Sequence, residues 1–216
     1  MTILGFDTAT KTLAVGLKKG SEVFEINVLA ERKHLELIFL KIQELLDRSN
    51  TDIKDLKAVA CGTGPGSFIG SRIGVVAAKT FAQILDIPLI GMPTLDIIAA
   101  SAGNGDLLIA NDAMRGEIFY AFYRGGKRSG DIGVIKPDEL KKKIKDEKII
   151  VAGDAVERFP DFFKGLPTRI QYPQGKFLVE IAANKFQKNL FEDHFNMVPL
   201  YVREVDARES FIECKK

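Results

Sequence analysis

The chain has 216 residues, with 31 Lys and Arg against 29 Asp and Glu, and 46% of its residues are hydrophobic. This length is enough for one large domain or two smaller ones with a substantial core. The nearly neutral charge balance excludes the overall basic character of a dedicated nucleic-acid-binding protein, so any RNA contact must be local or made through a partner.

Cysteine usage and hydropathy exclude further classes. Cys61 and Cys214 are far apart and lack metal-ligand spacing, which argues against a disulfide scaffold or a cysteine metal site. The sequence opens directly into a strand-like segment, and no later segment reaches the roughly 18 apolar residues that a membrane span needs. We therefore expect a soluble, cytoplasmic protein.

Hydrophobic periodicity predicts alternating strands and helices in the first half of the chain. The predicted strands are 2–9, 13–17, 23–28, 57–61 and 87–91. The predicted helices are 33–49, 68–85 and one that starts at Pro93, with Thr94 as its N-cap.

The second half repeats the opening pattern of strand, acid, strand, basic glycine turn and strand. Its predicted strands are 106–111, 117–123, 131–135 and 149–152, and its predicted helices are 137–148 and 177–190. Asp112 follows its first strand as Asp7 follows the first strand of the chain. The repeat predicts two lobes of similar design, 1–102 and 103–216, separated by the flexible segment 101–105.

A glycine-rich loop, Gly62-Thr63-Gly64-Pro65-Gly66, joins a predicted buried strand to a helix for which Ser67 is the predicted N-cap. Such a helix N-terminus can bind a phosphate. However, the loop lacks the Gly-Lys-Ser/Thr ending of a P-loop, and its glycines are not spaced as in a dinucleotide fingerprint. An architectural turn is therefore favoured over a phosphate site.

Four polar residues could mark a nucleotide site, which would be vestigial in a protein without catalytic activity. Asp7, Thr8 and Thr10 lie at a strand end, and Asp112 could face them across a cleft between the lobes. Such groups can hold a metal-bound phosphate. The alternative is a polar turn that satisfies its own backbone.

The two helices 33–49 and 68–85 are too apolar for packing on one side only. In the first, Leu35, Ile38, Phe39, Ile42, Leu45 and Leu46 share the predicted core face, whereas Leu37 and Leu40 lie off it. The second has one narrow polar stripe, Arg72, Lys79, Gln83 and Asp86. We predict a partner interface formed by His34, Leu37, Ile38, Phe68, Ile69, Arg72, Ile73, Val76, Ala77 and Thr80.

Catalytic signatures are weak. His34 and His194 are the only histidines and have no second His at helical spacing, so a histidine metal site is disfavoured. There is no Gly-x-Ser-x-Gly elbow, and Ser67 is a poor candidate for a nucleophile. We assign no catalytic residue and no metal ligand.

Several motifs in order resemble the TsaB family, also called YeaZ. They are Phe6-Asp7-Thr8-Ala9-Thr10, the run from Gly64 to Gly74, Ala78-Lys79, Pro93-Thr94-Leu95, the run from Asp112 to Phe119, and Pro199-Leu200-Tyr201-Val202-Arg203. The likeness covers most of the chain. Ile69 and Ser71 replace the usual Thr and Leu of the glycine-loop motif, Leu35 replaces a Ser, and Met114 replaces an Arg.

This resemblance implies an α/β fold of the actin-like, sugar-kinase and Hsp70-related (ASKHA) type, with two duplicated lobes that each have a mixed sheet and flanking helices. It implies a non-catalytic dimerisation subunit for the synthesis of threonylcarbamoyladenosine next to the tRNA anticodon. Catalysis, ATP and metal would belong to a TsaD-type catalytic subunit and a TsaE-type ATPase, and tRNA would bind through the complex. In isolation the chain would form a homodimer.

Two other hypotheses stay open on sequence grounds. One is an ATP-dependent enzyme with a nucleotide in the cleft between the lobes, held by Asp7, Thr8 and Asp112 around a metal. The other is direct tRNA binding by the chain alone, which a steep salt dependence would reveal.

Overall fold

Two five-stranded mixed sheets with helices on both faces make up the computed structural model, which describes residues 1–145 and 148–202. The elements are β1 (Thr2–Asp7), β2 (Thr12–Lys19), β3 (Glu22–Leu29), α1 (His34–Arg48), β4 (Ala58–Gly62), α2 (Phe68–Leu85), β5 (Leu89–Met92), α3 (Thr94–Ala102), β6 (Leu107–Asp112), β7 (Ile118–Arg124), β8 (Lys127–Ile135), α4 (Pro137–Lys143), β9 (Ile150–Ala152), α5 (Ala155–Arg158), β10 (Thr168–Arg169) and α6 (Gly175–Gln187).

The predicted elements are present, with end shifts of a few residues, and the predicted helix 68–85 matches α2 at both ends. Three short elements were missed: α5, β10 and a 3-10 helix at Ile53–Asp55. The predicted helix 137–148 stops at Lys143, because Ile144 has extended backbone angles. The last residues of that prediction include two, 146 and 147, that lie outside the described residues.

The two sheets have the same topology. The first has the order β3-β2-β1-β4-β5 and the second β8-β7-β6-β9-β10. In both, the first strand pairs antiparallel with the second and parallel with the fourth. The strand-end acids also match, since Asp7 Oδ1 accepts the Ala9 N–H and Asp112 Oδ1 accepts the Met114 N–H, each at 2.8 Å. The predicted duplication is therefore confirmed.

The central strands of the first sheet are buried on both faces. Leu4 and Phe6 of β1 pack in one core cluster with α1 and α2, while Ile3 packs in another with α6. A strand covered on both faces has continuous apolar sequence instead of alternation, which is why 57–61 was predicted as a buried strand. Helices α1 and α2 thus lie together on one face of this sheet.

Helix α6 crosses back from the second lobe to the first sheet, where it packs on β1, β2 and β3. Gly5 and Gly16 are register partners in β1 and β2, and a Cβ on Gly16 would collide with the backbone of Gly175. The start of α6 is bound by β3, where Asn27 Oδ1 accepts the Gly175 N–H at 2.9 Å. Residues 175–187 were expected in the second lobe, so this packing differs from the expectation. The division at residues 102 and 103 remains a proposal.

Helix α2 is long and apolar enough, by length and composition alone, to cross a membrane. The expectation that no segment reaches this length was therefore wrong. Helices that form part of a folded core pass the same test, and Val75, Ala78 and Ala82 of α2 pack in the core of the first sheet.

Candidate functional site

An apolar groove of about 440 Å³ runs between α1 and α2 on the outside of the first lobe. Its lining residues are Leu35, Phe39, Ile69, Arg72, Ile73, Val76, Ala77 and Thr80. We call it the α1–α2 groove. Large apolar side chains remain in solvent along it, and Ile69 and Val76 are 70% and 62% exposed. An exposed apolar surface of this kind is typical of an interaction site.

The groove is open because each of the two helices has more apolar surface than the first sheet can cover. On α2, Val75 and Ala78 face the core, whereas Ile69, Val76 and Ile84 face solvent. On α1, Ile38, Ile42 and Leu45 pack on the sheet, while Leu35 and Phe39 remain at least half exposed. The side chains at the edges of the two arcs therefore face each other across the groove.

Six of the ten predicted interface residues line the groove: Ile69, Arg72, Ile73, Val76, Ala77 and Thr80. Ala77 is 5% exposed, and Phe68 is exposed beside the groove at the start of α2. The partner interface stays a prediction.

Three predicted interface residues were misplaced on α1. His34 is 6% exposed and Ile38 is fully buried, because both point towards the first sheet. Burial lowers the pKa of His34, which favours the neutral imidazole. Leu37 is half-buried and packs against the core of the first lobe.

Leu35 and Phe39 are groove residues that the sequence placed on the core face of α1. Leu35 and Phe39 are one helical turn apart, as are His34 and Ile38. Periodicity therefore identifies the apolar side of α1 but not which of these two pairs faces the sheet. The ring of Phe39 lies 6.2 Å from that of Phe81 on α2, centroid to centroid, which fixes one wall of the groove. Leu40 is also exposed on α1.

The segment from 191 to 202 packs along the polar stripe of α2, next to the groove. Lys79 Nζ donates hydrogen bonds to the carbonyls of Phe195 and Met197, at 3.2 and 3.3 Å. Further along, Arg72 Nε donates to the hydroxyl of Tyr201 at 2.9 Å. The polar stripe predicted from sequence is therefore a docking surface for the chain itself.

The N-terminus of α2 is built against the end of β1. Ser67 caps the helix, as predicted, by accepting the Gly70 N–H at 3.2 Å. Thr8 donates its hydroxyl to the Gly70 carbonyl at 2.7 Å, and the Ala9 carbonyl accepts the Ser67 N–H at 2.7 Å. A Cβ on Gly66 or Gly70 would collide with the carbonyl oxygens of Ala9 or Thr8. Gly66 and Gly70 thus allow the backbone at Thr8 and Ala9 to approach the start of α2 closely.

Asp7 lies at the centre of this junction and is fully buried. Its carboxylate accepts the Ala9 N–H and, at 2.6 Å, the hydroxyl of Thr94. The Thr94 hydroxyl in turn accepts the Gly64 N–H at 3.0 Å. Burial raises the pKa of Asp7 to about 6, although the hydrogen bonds from Thr94 and Ala9 oppose the shift.

Thr94 was predicted as the N-cap of α3, and this was wrong. Pro93 holds the cap position, and Thr94 is the first helical residue. Its hydroxyl connects Asp7 to the glycine loop, a contact 87 residues apart in sequence for which no local signal exists.

The four residues of the predicted nucleotide site do not form one set of contacts. Asp7 and Thr8 are buried at the junction, and the Thr10 hydroxyl bonds to the backbone of Thr12. Asp112 lies in the second lobe, where its N–H donates to Asp154 Oδ1 at 2.8 Å and its carboxylate is 4.0 Å from Arg158.

Asp154 forms the centre of a second polar cluster near the boundary between the lobes. Burial raises its pKa to about 6, and the charge of Asp112 adds to the shift. Lys11, which follows β1, pairs with Glu157 of α5 at 3.1 Å. Among residues 1–145 and 148–202, no group of three or more His, Cys, Asp or Glu side chains is arranged to hold a metal ion.

Known proteins share this sequence and architecture. The family model described as TsaD, tRNA N6-adenosine threonylcarbamoyltransferase, matches residues 27–214. The tRNA threonylcarbamoyladenosine biosynthesis protein TsaB of Bacillus subtilis is 32% identical, with full coverage of both chains. The TsaB of Escherichia coli is 31% identical over 94% of this chain and 95% of its own length.

A crystal structure of a Pseudomonas aeruginosa protein, described as similar to peptidase YEAZ, has a TM-score of 0.86. It is 23% identical and is covered over 99% of its length and 94% of this chain. The two duplicated lobes thus define a protein of the predicted ASKHA fold class. The chain belongs to the TsaB (YeaZ) family, within the broader group that the TsaD model describes.

Proposed function

We propose that this chain is the partner-binding subunit of a cytoplasmic complex that makes threonylcarbamoyladenosine on tRNA, and that catalysis resides in a partner. The biosynthetic role is supported by the names of the relatives, which are tRNA threonylcarbamoyladenosine biosynthesis proteins. The α1–α2 groove is the observation that carries the partner-binding role.

The groove suits helices from another subunit. Its apolar walls come from two helices, and the lining residues on α2 recur every three to four positions, at Ile69, Ile73, Val76 and Thr80, with Ile73 half-buried and the other three exposed. Helices of a partner can pack their apolar faces into such a groove. We propose a TsaD-type catalytic subunit as the occupant, with a TsaE-type ATPase joining the complex, and a second copy of this chain as the occupant in isolation.

A non-catalytic role is supported by the contacts of the residues predicted to form a nucleotide site. The carboxylate of Asp7 and the hydroxyl of Thr8 already bond to the chain's own backbone and to Thr94. Binding a metal-bound phosphate there would require breaking these buried contacts. We therefore propose that the chain needs no cofactor and that ATP and metal act on the partner subunits.

The groove is tested with Ile69→Asp and Val76→Asp, because both side chains are largely exposed and their loss leaves the core intact. A charge in the groove centre should reduce the complex with the TsaD-type subunit at least about 100-fold in affinity. Ile170→Asp is the matched control, since Ile170 is 53% exposed in the second lobe. Light scattering after size exclusion would measure the complex, and thermal unfolding would check the fold.

Retention of the complex by both groove variants would contradict the assignment of the surface. A separate measurement addresses catalysis, namely calorimetric titration of the isolated chain with ATP and magnesium. We expect no turnover. ATP turnover that is lost in Asp7→Ala would favour the ATP-dependent enzyme instead.

A further inference from the structure

The second lobe contains a basic region that the overall charge conceals. The segment 118–148 has nine Lys and Arg against five Asp and Glu, a net charge of +4, whereas the whole chain has +2. The rest of the chain is therefore slightly acidic. Positive charge is therefore concentrated in this segment, although the chain as a whole is nearly neutral.

Three of these cations converge on one pocket of about 240 Å³. Arg124 comes from the end of β7, and Lys143 and Lys145 come from the end of α4 and the segment after it. All three are exposed. The other lining residues are Asp106, Phe122, Tyr123, Ser129 and Ile149. We call this site the β7–α4 basic pocket.

The cations of this pocket are not neutralised by the residues that the structure describes. Within residues 1–145 and 148–202, none of Arg124, Lys143 and Lys145 has an ion pair within 4.0 Å, and Asp106 is the single acid in the lining. By contrast, Arg128 of β8 pairs with Asp96 at 3.3 Å. Three like charges that face one pocket with a single acid beside them favour binding of an anion.

The positive surface continues beyond the pocket. Lys127 is exposed at the start of β8, and Lys141 and Lys142 are exposed on α4. A single small anion would occupy the pocket and leave these side chains unused. A polyanionic backbone, with a phosphate every few ångströms, would contact the pocket and its rim together.

We propose that the β7–α4 basic pocket and its rim bind the phosphate backbone of the tRNA on which the complex acts. This inference rests on the proposed function, which supplies tRNA as the polyanion. The pocket shares no residue with the α1–α2 groove and lies in the other lobe. A subunit held through its groove therefore keeps this surface free for RNA.

The test uses the full chain, alone and mixed with the TsaD-type subunit, and a fluorescein-labelled tRNA transcript as the probe. The pocket variant is Arg124→Glu, Lys143→Glu and Lys145→Glu combined. The control is Lys54→Glu, Lys57→Glu and Lys188→Glu combined, which changes the net charge equally at exposed positions elsewhere. Fluorescence anisotropy between about 50 and 200 mM KCl gives the affinity and its salt dependence.

We expect the pocket variant to bind tRNA at least about tenfold more weakly, and its slope of log affinity against log salt to be flatter by about 2 to 3. The loss should be similar for tRNAs of different sequence, because phosphate contacts read no bases. The control variant should stay within about twofold of wild type. Thermal unfolding confirms that both variants fold.

Three results would overturn the inference: wild-type affinity in the pocket variant, equal losses in the two variants, or no tRNA binding by the wild-type chain and its complex. Size exclusion of the same mixtures measures complex assembly independently of tRNA binding, so failure of this inference can be distinguished from failure of the proposed function. A pocket variant that assembles normally but binds tRNA like wild type refutes the RNA surface and leaves the partner role standing. A wild-type chain that fails to assemble refutes the partner role.

Discussion

Arg72 of α2 donates a hydrogen bond from Nε to the hydroxyl of Tyr201, 129 residues further along the chain. The same guanidinium lies over the ring of Phe68, with Cζ 3.6 Å from the centroid, and the rings of Phe68 and Tyr201 are 5.9 Å apart. Arg72 also lines the α1–α2 groove. The segment from 191 to 202 therefore helps to fix a side chain of the candidate partner surface.

Tyr201→Ala should release this contact and loosen the segment from 191 to 202. We expect a loss of roughly 1 kcal/mol in the free energy of unfolding, because the site is partly exposed and loses one hydrogen bond with its ring contact. Faster hydrogen exchange of the Leu200 amide, which bonds to the Thr63 carbonyl at 2.8 Å, would report the loosening. Tyr201→Phe keeps the ring and should lose less. Unchanged exchange in Tyr201→Ala would show that the segment is held elsewhere.

Gly70→Ala should destabilise the protein although Ala is the better helix former by about 1 kcal/mol. Its Cβ would collide with the carbonyl oxygen of Thr8, a backbone atom that cannot move alone. We expect a net loss of about 2 to 4 kcal/mol in urea unfolding.

Gly91→Ala serves as the control for this change. Its Cβ would lie 2.9 Å from the Met197 Cε, the flexible end of a side chain that can shift. The control should cost clearly less than Gly70→Ala. Equal losses would mean that the contact between β1 and α2 is not the source of the strain.

Thr94→Val should test the bridge between Asp7 and the glycine loop. The substitution keeps the shape but leaves the Asp7 carboxylate and the Gly64 N–H without their hydroxyl partner, at a cost of about 2 to 4 kcal/mol. Loss of the donor should also raise the pKa of Asp7 further. Thr94→Ser retains the hydroxyl and should lose about 1 kcal/mol, for the buried methyl group. Similar costs for Val and Ser would argue against the bridge.

The stability of the protein should depend on pH through Asp7, whose pKa rises from 3.8 to about 6 on burial. Between these values the folded state binds more protons than the unfolded state, so this group's contribution falls as pH rises from about 4 to 6. The change is on the order of 1 to 3 kcal/mol. Asp154 has a pKa raised to about 6 and adds an effect of the same sign.

Asp7→Asn isolates this dependence, because the amide oxygen can still accept the Ala9 N–H and does not titrate. The stability of wild type relative to the variant, measured by urea unfolding, should decrease between pH 4 and 6 and level off above. A difference that stays constant over this range would contradict a raised pKa for Asp7.

The boundaries of α2 could be predicted because local signals determine them. Ser67 supplies the N-cap, and Asp86 ends the helix in a left-handed conformation. The duplicated lobes were also predictable, since the acid, hairpin and glycine turn recur in sequence. Both predictions rest on residues whose effect does not depend on distant contacts.

The rotation of α1 could not be predicted in the same way. Its apolar arc includes Leu35 and Phe39 as well as Ile38 and Ile42, and only the packed sheet decides which pair is buried. His34 is a polar residue that the fold buries, against its average preference. Composition therefore predicted an interface on the helix pair but included His34, Leu37 and Ile38, which do not line the groove.

Long-range contacts account for the remaining differences. The Thr94 hydroxyl donates a hydrogen bond to Asp7. The first residue of α6, Gly175, donates its N–H to Asn27 of β3, which lies 148 residues earlier in the chain. Neither contact has a periodic or motif signal in the sequence. The docking of 191–202 on Lys79 and Arg72 has the same character, since it depends on where α2 lies in the folded chain.

Because α6 packs on the first sheet, the core of the first lobe can be completed only late in synthesis of the chain. While the ribosome is still making the second lobe, the core around Ile3, Ala58 and Ala60 lacks Leu178, Val179 and Ala182 of α6, which are among the last core residues translated. One apolar face of the first sheet therefore stays incompletely covered until α6 is synthesised, some 80 residues after β5. Premature termination before residue 175 is therefore expected to leave a fragment that aggregates, even though all five strands of its first sheet are present.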